Sequence, residues 1–274
     1  MLLTKMRVVI MLGILMFLSW VYIALSGLID TQINYIYGVG LGIMPIVASF
    51  FGFFNGYGWG GSRSAMGKTL YFLSAGLLMW GIGTLIFAYY NIVLKVLVPY
   101  PSIADGFYII SWPLWGLGMF YLSKATGAKF GLQRGQGKTM LLLIPAVIIT
   151  LSYYLLVVVA RGGELDLTDS GLLKIFFDLF YPIGDVVILT IATLIFGLSY
   201  SYLGGKFRPA IYLILLGFVM NYFSDFLFSY TTTSGTFYTG NWVDFLFTIT
   251  MFVLATGITM LDPRKTISSA EVLT

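Results

Sequence analysis

Four aspartates, Asp105, Asp185, Asp225 and Asp244, stand in or beside long apolar runs. An unpaired charge in hydrocarbon costs at least about 2.5 kcal/mol on insertion scales. Such groups belong inside a helix bundle, where they pair, share a proton or hold a cation. Ser102–Asp105 and Asn241–Asp244 have capping-box spacing. An acid in a first turn also meets the positive end of the helix dipole. Those two aspartates can therefore be caps or ligands. Asp185 follows Pro182 by three residues, which predicts a first-turn position in a span beginning at 181. Asp225 falls about sixteen residues into its span, roughly 24 Å along a helix, too deep to be a cap. Asn221 and Ser224 lie near enough on the same helix to hydrogen-bond it. Asp225 is read as lining a pocket, with polar glue between helices as the alternative.

Other chemistry is narrowed by composition. The chain has no Cys and no His. That removes thiolate nucleophiles, imidazole bases, haem ligation and ordinary zinc sites. Sites for hard cations, built from carboxylates and carbonyls, remain open. The sequence names no cofactor and leaves it unknown; the reading is non-enzymatic, with a membrane enzyme working through Asp or an Asp-held metal ranked last. The run "GQGKT" at 135–139 invites a phosphate-loop reading. Leu132 stands where that motif needs Gly, and the flanks are apolar spans rather than a strand and a soluble helix. It reads as a basic loop beside lipid. Tyr89, Tyr90, Tyr100, Tyr181, Tyr222, Tyr230, Tyr238 and Trp242 gather near one boundary. They read as an interfacial aromatic belt, or more sharply as the rim of a pocket.

The elements that position these residues follow from hydropathy. Hydrophobic residues are 59% of 274 and charged residues 9%. Runs of about 18 to 25 apolar residues can cross a hydrocarbon core of roughly 30 Å. Eight such runs occur, at 6–28, 37–54, 69–92, 104–123, 139–160, 181–203, 209–231 and 242–261. They do not alternate, so helices rather than barrel strands are expected. The prediction is an all-α polytopic membrane bundle of eight transmembrane helices built from helical hairpins. It forms a single integral membrane domain, with a short tail at 262–274. Twelve of fifteen Lys/Arg fall on alternate connections, whereas nine of eleven Asp/Glu fall on the other side or in the outer half of a span. The positive-inside rule then predicts cytoplasmic termini in a plasma membrane, and the basic charge is an orientation signal rather than a nucleic-acid one. Lys5 and Arg7 before the first run also fit a signal peptide. The run's length favours a retained span.

The starts of three inward-running spans, at Tyr100, Tyr181 and Thr239, share a pattern. A turn residue is followed by Asp and then by an apolar stretch. The spacing is uneven, so this is hairpin repetition rather than a solenoid. The amphipathic stretch 170–180 precedes Pro182, whose ring would clash with the carbonyl of Asp178 in a continuous helix. A short interfacial helix, then a break, is predicted there.

The segment "MWGIGTLIFAYYNIVLKVLVPYPSIADGFYIISWPLW" at 79–115 resembles the polytopic N-terminal membrane region of bacterial signalling proteins. Those proteins carry GGDEF, EAL or histidine-kinase output domains. "LFYPIGDVVILTI" at 179–191 and "NYFSDFLFSYTTTSGTFYTGNWVDFLF" at 221–247 extend the resemblance. Matching positions are Tyr90, Pro101, Ser102, Ala104, Asp105, Tyr108, Pro182, Asp185, Asp225, Gly235 and Asp244. The resemblance implies a sensor. No run after Leu261 is long enough for an output domain, so a separate signalling partner is expected. The expected ligand set is Asp105, Asp185, Asp225, Asp244, Tyr90, Tyr108, Ser102 and Tyr222, around one outer-half cavity for a small-molecule, lipid or cation ligand. An ion- or proton-coupled transporter using Asp225 and Asp185 is the alternative, although transporter sites usually lie nearer the midplane.

Overall fold

The computed structural model describes residues 2–96, 98–163, 172–200 and 205–264. The acidic connection at Glu164, Asp166 and Asp169, residues 170–171 and the tail from Lys265 lie outside the described residues. Long helices follow from the apolar runs, because hydrocarbon offers the backbone no hydrogen-bond partner. They are α1 (Leu2–Leu25), α2 (Gln32–Gly58), α3 (Ala65–Tyr89), α4 (Ile103–Ala125), α6 (Gly135–Ser152), α7 (Leu172–Ser199), α8 (Arg208–Thr233) and α9 (Trp242–Met260). A short α5 (Ala128–Leu132) lies in the connection before α6, and π-helical turns extend α3 to Leu94 and α6 to Val159. No strand occurs among the described residues.

Seven of the long helices are long and apolar enough to cross a membrane. The chain is thus a multi-pass helical protein suited to a lipid bilayer. The eighth expected span, α4, has the length at 23 residues but not the same apolar character. Its Asp105, Ser111, Pro113, Tyr and Trp residues dilute the aliphatic content.

Six helices close a ring through successive contacts of α2 with α3, α3 with α4, α4 with α7, α7 with α8, α8 with α9, and α9 with α2. Its centre is filled by buried Met44, Leu77, Trp80, Trp115, Met119, Phe218 and Met251. Trp115 meets Phe218 edge-on across the ring at 5.4 Å. Helices approach closely where side chains are small. Gly42 and Gly81 bring α2 and α3 together so tightly that a Cβ on Gly81 would lie 2.7 Å from the Gly42 carbonyl oxygen.

Two helices sit outside the ring. α1 packs on α2 and α9 through a single stripe, Val9, Met16 and Ile23, with most of its other large residues exposed. α6 packs on α7, and its π-helical extension reaches α8. At the basic end of the bundle, Lys5 donates to Asn55 Oδ1 at 2.8 Å and lies 3.7 Å from Asp262. Arg264 grips the same carboxylate through Nε at 2.9 Å and through Nη2. Burial pushes the Asp262 carboxyl up, but the Arg264 hydrogen bonds and the Lys5 charge outweigh it and hold it below the usual carboxylate range.

The expected break at Pro182 does not occur. α7 runs unbroken from Leu172 to Ser199 with Pro182 inside it. Pro45, Pro113 and Pro145 are carried within α2, α4 and α6 in the same way. A proline removes one helical hydrogen bond, but neighbouring packing and small backbone adjustments restore the freed groups in a bundle. The apolar part of α7 begins at Phe180, so its first turns precede the span-like segment.

Candidate functional site

The continuity of α7 changes the setting of Asp185. It is not in a first turn but about 20 Å from the start of its helix, beyond the reach of the N-terminal dipole. Asp185 is 4% exposed. Its carboxyl group lies within interaction range of that of Asp225 on α8, with the Trp112 indole of α4 beside it. Two buried carboxylates brought this near repel each other when both are ionised, and a shared proton or a bound cation would relieve that repulsion. Asn221, one turn before Asp225, donates through Nδ2 to Asp225 Oδ2 at 2.6 Å. Its other amide atom, Oδ1, is buried with no partner although the residue is only 3% exposed. Two carboxyl groups and an unsatisfied amide oxygen therefore share a node between α4, α7 and α8.

Close helix approach builds this node. A Cβ on Gly184 would fall 1.7 Å from Trp112 Cδ1, so only glycine lets the indole lie over α7. Tyr181, one turn before Asp185, packs edge-on to Trp112 at 5.5 Å. Its hydroxyl donates to Asp105 Oδ1 at 2.9 Å. Asp105 Oδ2 accepts from the Ser102 amide at 2.7 Å and hydroxyl at 2.8 Å, which completes the expected capping box. Asp105 is thus both a cap for α4 and a link through Tyr181 towards the pair.

Tyr108 lies within electrostatic reach of Asp105, Asp225 and Asp244. Its hydroxyl donates to Thr84 Oγ1 at 3.2 Å, and its ring sits 5.8 Å from Trp80. Asp244 is 7% exposed and accepts the Gly240 amide at 2.7 Å, while Asn241 caps the amides of Val243 and Asp244. Asn241 is therefore the N-cap the sequence predicts, and only the reciprocal bond of Asp244 goes to the Gly240 amide instead of that of Asn241. Tyr37 and Thr248 hydrogen-bond at 2.5 Å beside it.

Other expected site residues lie further off. Tyr222 faces α6, where its hydroxyl donates to Ser152 at 2.8 Å. Tyr90 heads the π-helical turn after α3 and makes no hydrogen bond to these carboxylates among the described residues. Ser224 turns away from Asp225, towards the Met220 carbonyl and Thr250. Tyr89, Tyr100, Tyr230 and Trp242 are exposed, as a belt requires. A cavity of about 500 Å³ lies at the other, basic end of the bundle, and none of the four aspartates lines it. Trp112 was not among the sequence candidates, and Tyr181 was read there as a belt or pocket-rim residue rather than a ligand. Their one available signal was the Trp and Tyr enrichment of otherwise apolar helices.

Among the described residues no three carboxylates gather to hold a metal ion. The donor set suits a proton or a weakly hydrated cation better than a divalent ion, which asks for six or more oxygens or a rigid octahedron. Comparison with family models, curated proteins and solved structures returns no match.

Proposed function

We propose that this chain is a non-enzymatic sensor bundle of the plasma membrane that binds a proton or a small cation at Asp185, Asp225 and Asn221. The observation that carries the reading is the contact between the two carboxyl groups beside the unpartnered Asn221 oxygen. Occupancy would change how α7 and α8 hold each other, because each helix contributes one acid. Asp105, Tyr181 and Trp112 extend the node to α4, so binding would bias three helices of the ring.

The topology that suits this role has eight spans, with α4 counted because it is built into the ring between α3 and α7. Its basic ends face the cytoplasm, and the node lies in the outer half. The resemblance of residues 79–261 to the membrane region of bacterial signalling proteins supports a sensor whose response passes to a separate partner. An ion- or proton-coupled transporter is the second reading, favoured by the same acid pair bridging two packed helices.

The full chain, purified in neutral detergent, should melt at a temperature that depends on pH above the ordinary carboxylate range, where Asp262 no longer titrates, or on Na⁺ against choline. Asp185→Asn and Asp225→Asn should each remove that dependence. A dependence that survives both substitutions would end the site assignment. In proteoliposomes, a cation or proton flux abolished by Asp225→Asn would favour transport; binding without flux favours the sensor.

A further inference from the structure

At the basic end, α2 and α4 both lean on α3 and leave a groove between them. It has a volume of about 500 Å³ and is lined by Phe53, Phe72, Ala75 and Leu114, with Tyr71 and Tyr121 towards its end and Ser62 and Lys68 at its mouth. Lys68, Phe72 and Ala75 recur on one face of α3 at helical spacing. Leu114 and Tyr121 run the opposite way on α4. Seven residues on each helix give the apolar floor a length of about 10 Å, with the polar residues all at one end. Phe72 and Tyr121 stack at 5.7 Å with planes 6° apart, which joins the two walls.

The mouth is positively charged. Lys68 Nζ lies 5.0 Å from the centre of the Tyr121 ring, and Lys124 Nζ lies 5.4 Å from the same ring. Both ammonium groups thus lie near the Tyr121 ring, Lys124 nearer still to Phe120 at 4.3 Å, and neither has a carboxylate partner among the described residues. Two cations gathered at one end of an apolar groove, without a carboxylate counter-charge, suit an anion. A single anion with an apolar tail would answer both halves of the groove.

We infer that this groove binds an anionic phospholipid, with the phosphate at Lys68 and Lys124 and an acyl chain along Phe53, Phe72, Ala75 and Leu114. The lysines supply charge to the headgroup, each contributing about fivefold in affinity at a membrane surface. The tyrosines place amphipathic rings at the headgroup level, where such rings are favoured. The site shares no lining residue with the acid pair and does not depend on it.

The test uses the purified full chain in neutral detergent. Phosphatidylglycerol and phosphatidylcholine with identical acyl chains are titrated in turn, with bound lipid counted by native mass spectrometry. Retention of phosphatidylglycerol over phosphatidylcholine is expected. Lys68→Gln with Lys124→Gln should weaken it about thirtyfold, leaving phosphatidylcholine unchanged. Ala75→Trp and Leu114→Trp, which fill the apolar floor from opposite walls, should each remove both lipids from this site. Inorganic phosphate at equal concentration should not compete. Asp225→Asn should keep full lipid affinity, so failure here is separable from failure of the acid-pair reading. Equal retention of the two lipids, displacement by inorganic phosphate, or a change in oligomeric mass without a change in bound lipid would each overturn the lipid site.

Discussion

Asp225 differs from Asp244 in what its carboxyl group touches. Asp244 accepts a backbone amide at the start of its own helix, a role an amide oxygen can also fill. Asp225 meets a second acid from another helix, and Asn there removes the exchangeable charge on which binding depends. Asp225→Asn and Asp185→Asn should therefore weaken cation or proton binding by about thirtyfold or more, on the scale of 2 kcal/mol for breaking a buried charged pair. Asp244→Asn should change it much less. Isothermal titration with Na⁺, repeated across pH, distinguishes these variants; an equal loss in all three would deny the pair its special standing. Asn221→Leu should also weaken binding, because it deletes the unpartnered buried oxygen beside the acid pair.

At the scale of the element, α7 is the helix that brings the site together. Its unbroken course through Pro182 puts Tyr181, Gly184 and Asp185 on the side facing α4 and α8. Gly184→Ala should be destabilising by roughly 1–3 kcal/mol, the usual cost of overpacking, because its Cβ meets the Trp112 ring. Gly106→Ala, on α4 beside Asp105, has nothing within 4 Å of the added carbon and should be near neutral. Thermal melts of the two variants in the same detergent give the comparison. A tolerated Gly184→Ala would mean that α4 and α7 are less tightly apposed than the structure shows.

At the scale of the whole molecule, the ring is fastened where the first helix meets the segment after the last. Asp262 there answers Lys5 and Arg264. Its carboxyl group is held below the ordinary range in the fold, so on acidification the unfolded chain takes up the proton first. The stability it contributes is complete above the ordinary carboxylate range and is lost as pH falls through that range towards the folded value. Asp262→Asn should cost about 3 kcal/mol at neutral pH, because Lys5 stays buried without its counter-charge. Melting curves of wild type and variant should converge on acidification; a gap that persists in acid would refute the linkage. The native chain has no Cys, so single cysteines report topology without background. Ser234→Cys should label from outside intact cells and Gly135→Cys should not.

Helical class and membrane-spanning character were legible in the sequence because they depend on local quantities. A run of apolar residues must satisfy its own backbone, and a charge inside one must find a partner wherever the chain goes. The Ser102–Asp105 cap was legible for the same reason, since its partners lie three residues apart. Tertiary structure decided the rest. Pro182 looked like a break because its penalty is local and its compensation is not. Asp185 then moved from a helix start to mid-helix, and only the packing of α7 on α8 shows that it meets Asp225. Trp112 joins the node because Gly184 on a distant segment leaves room for it. Pairing between helices is a property of the closed ring, and no spacing along one helix encodes it.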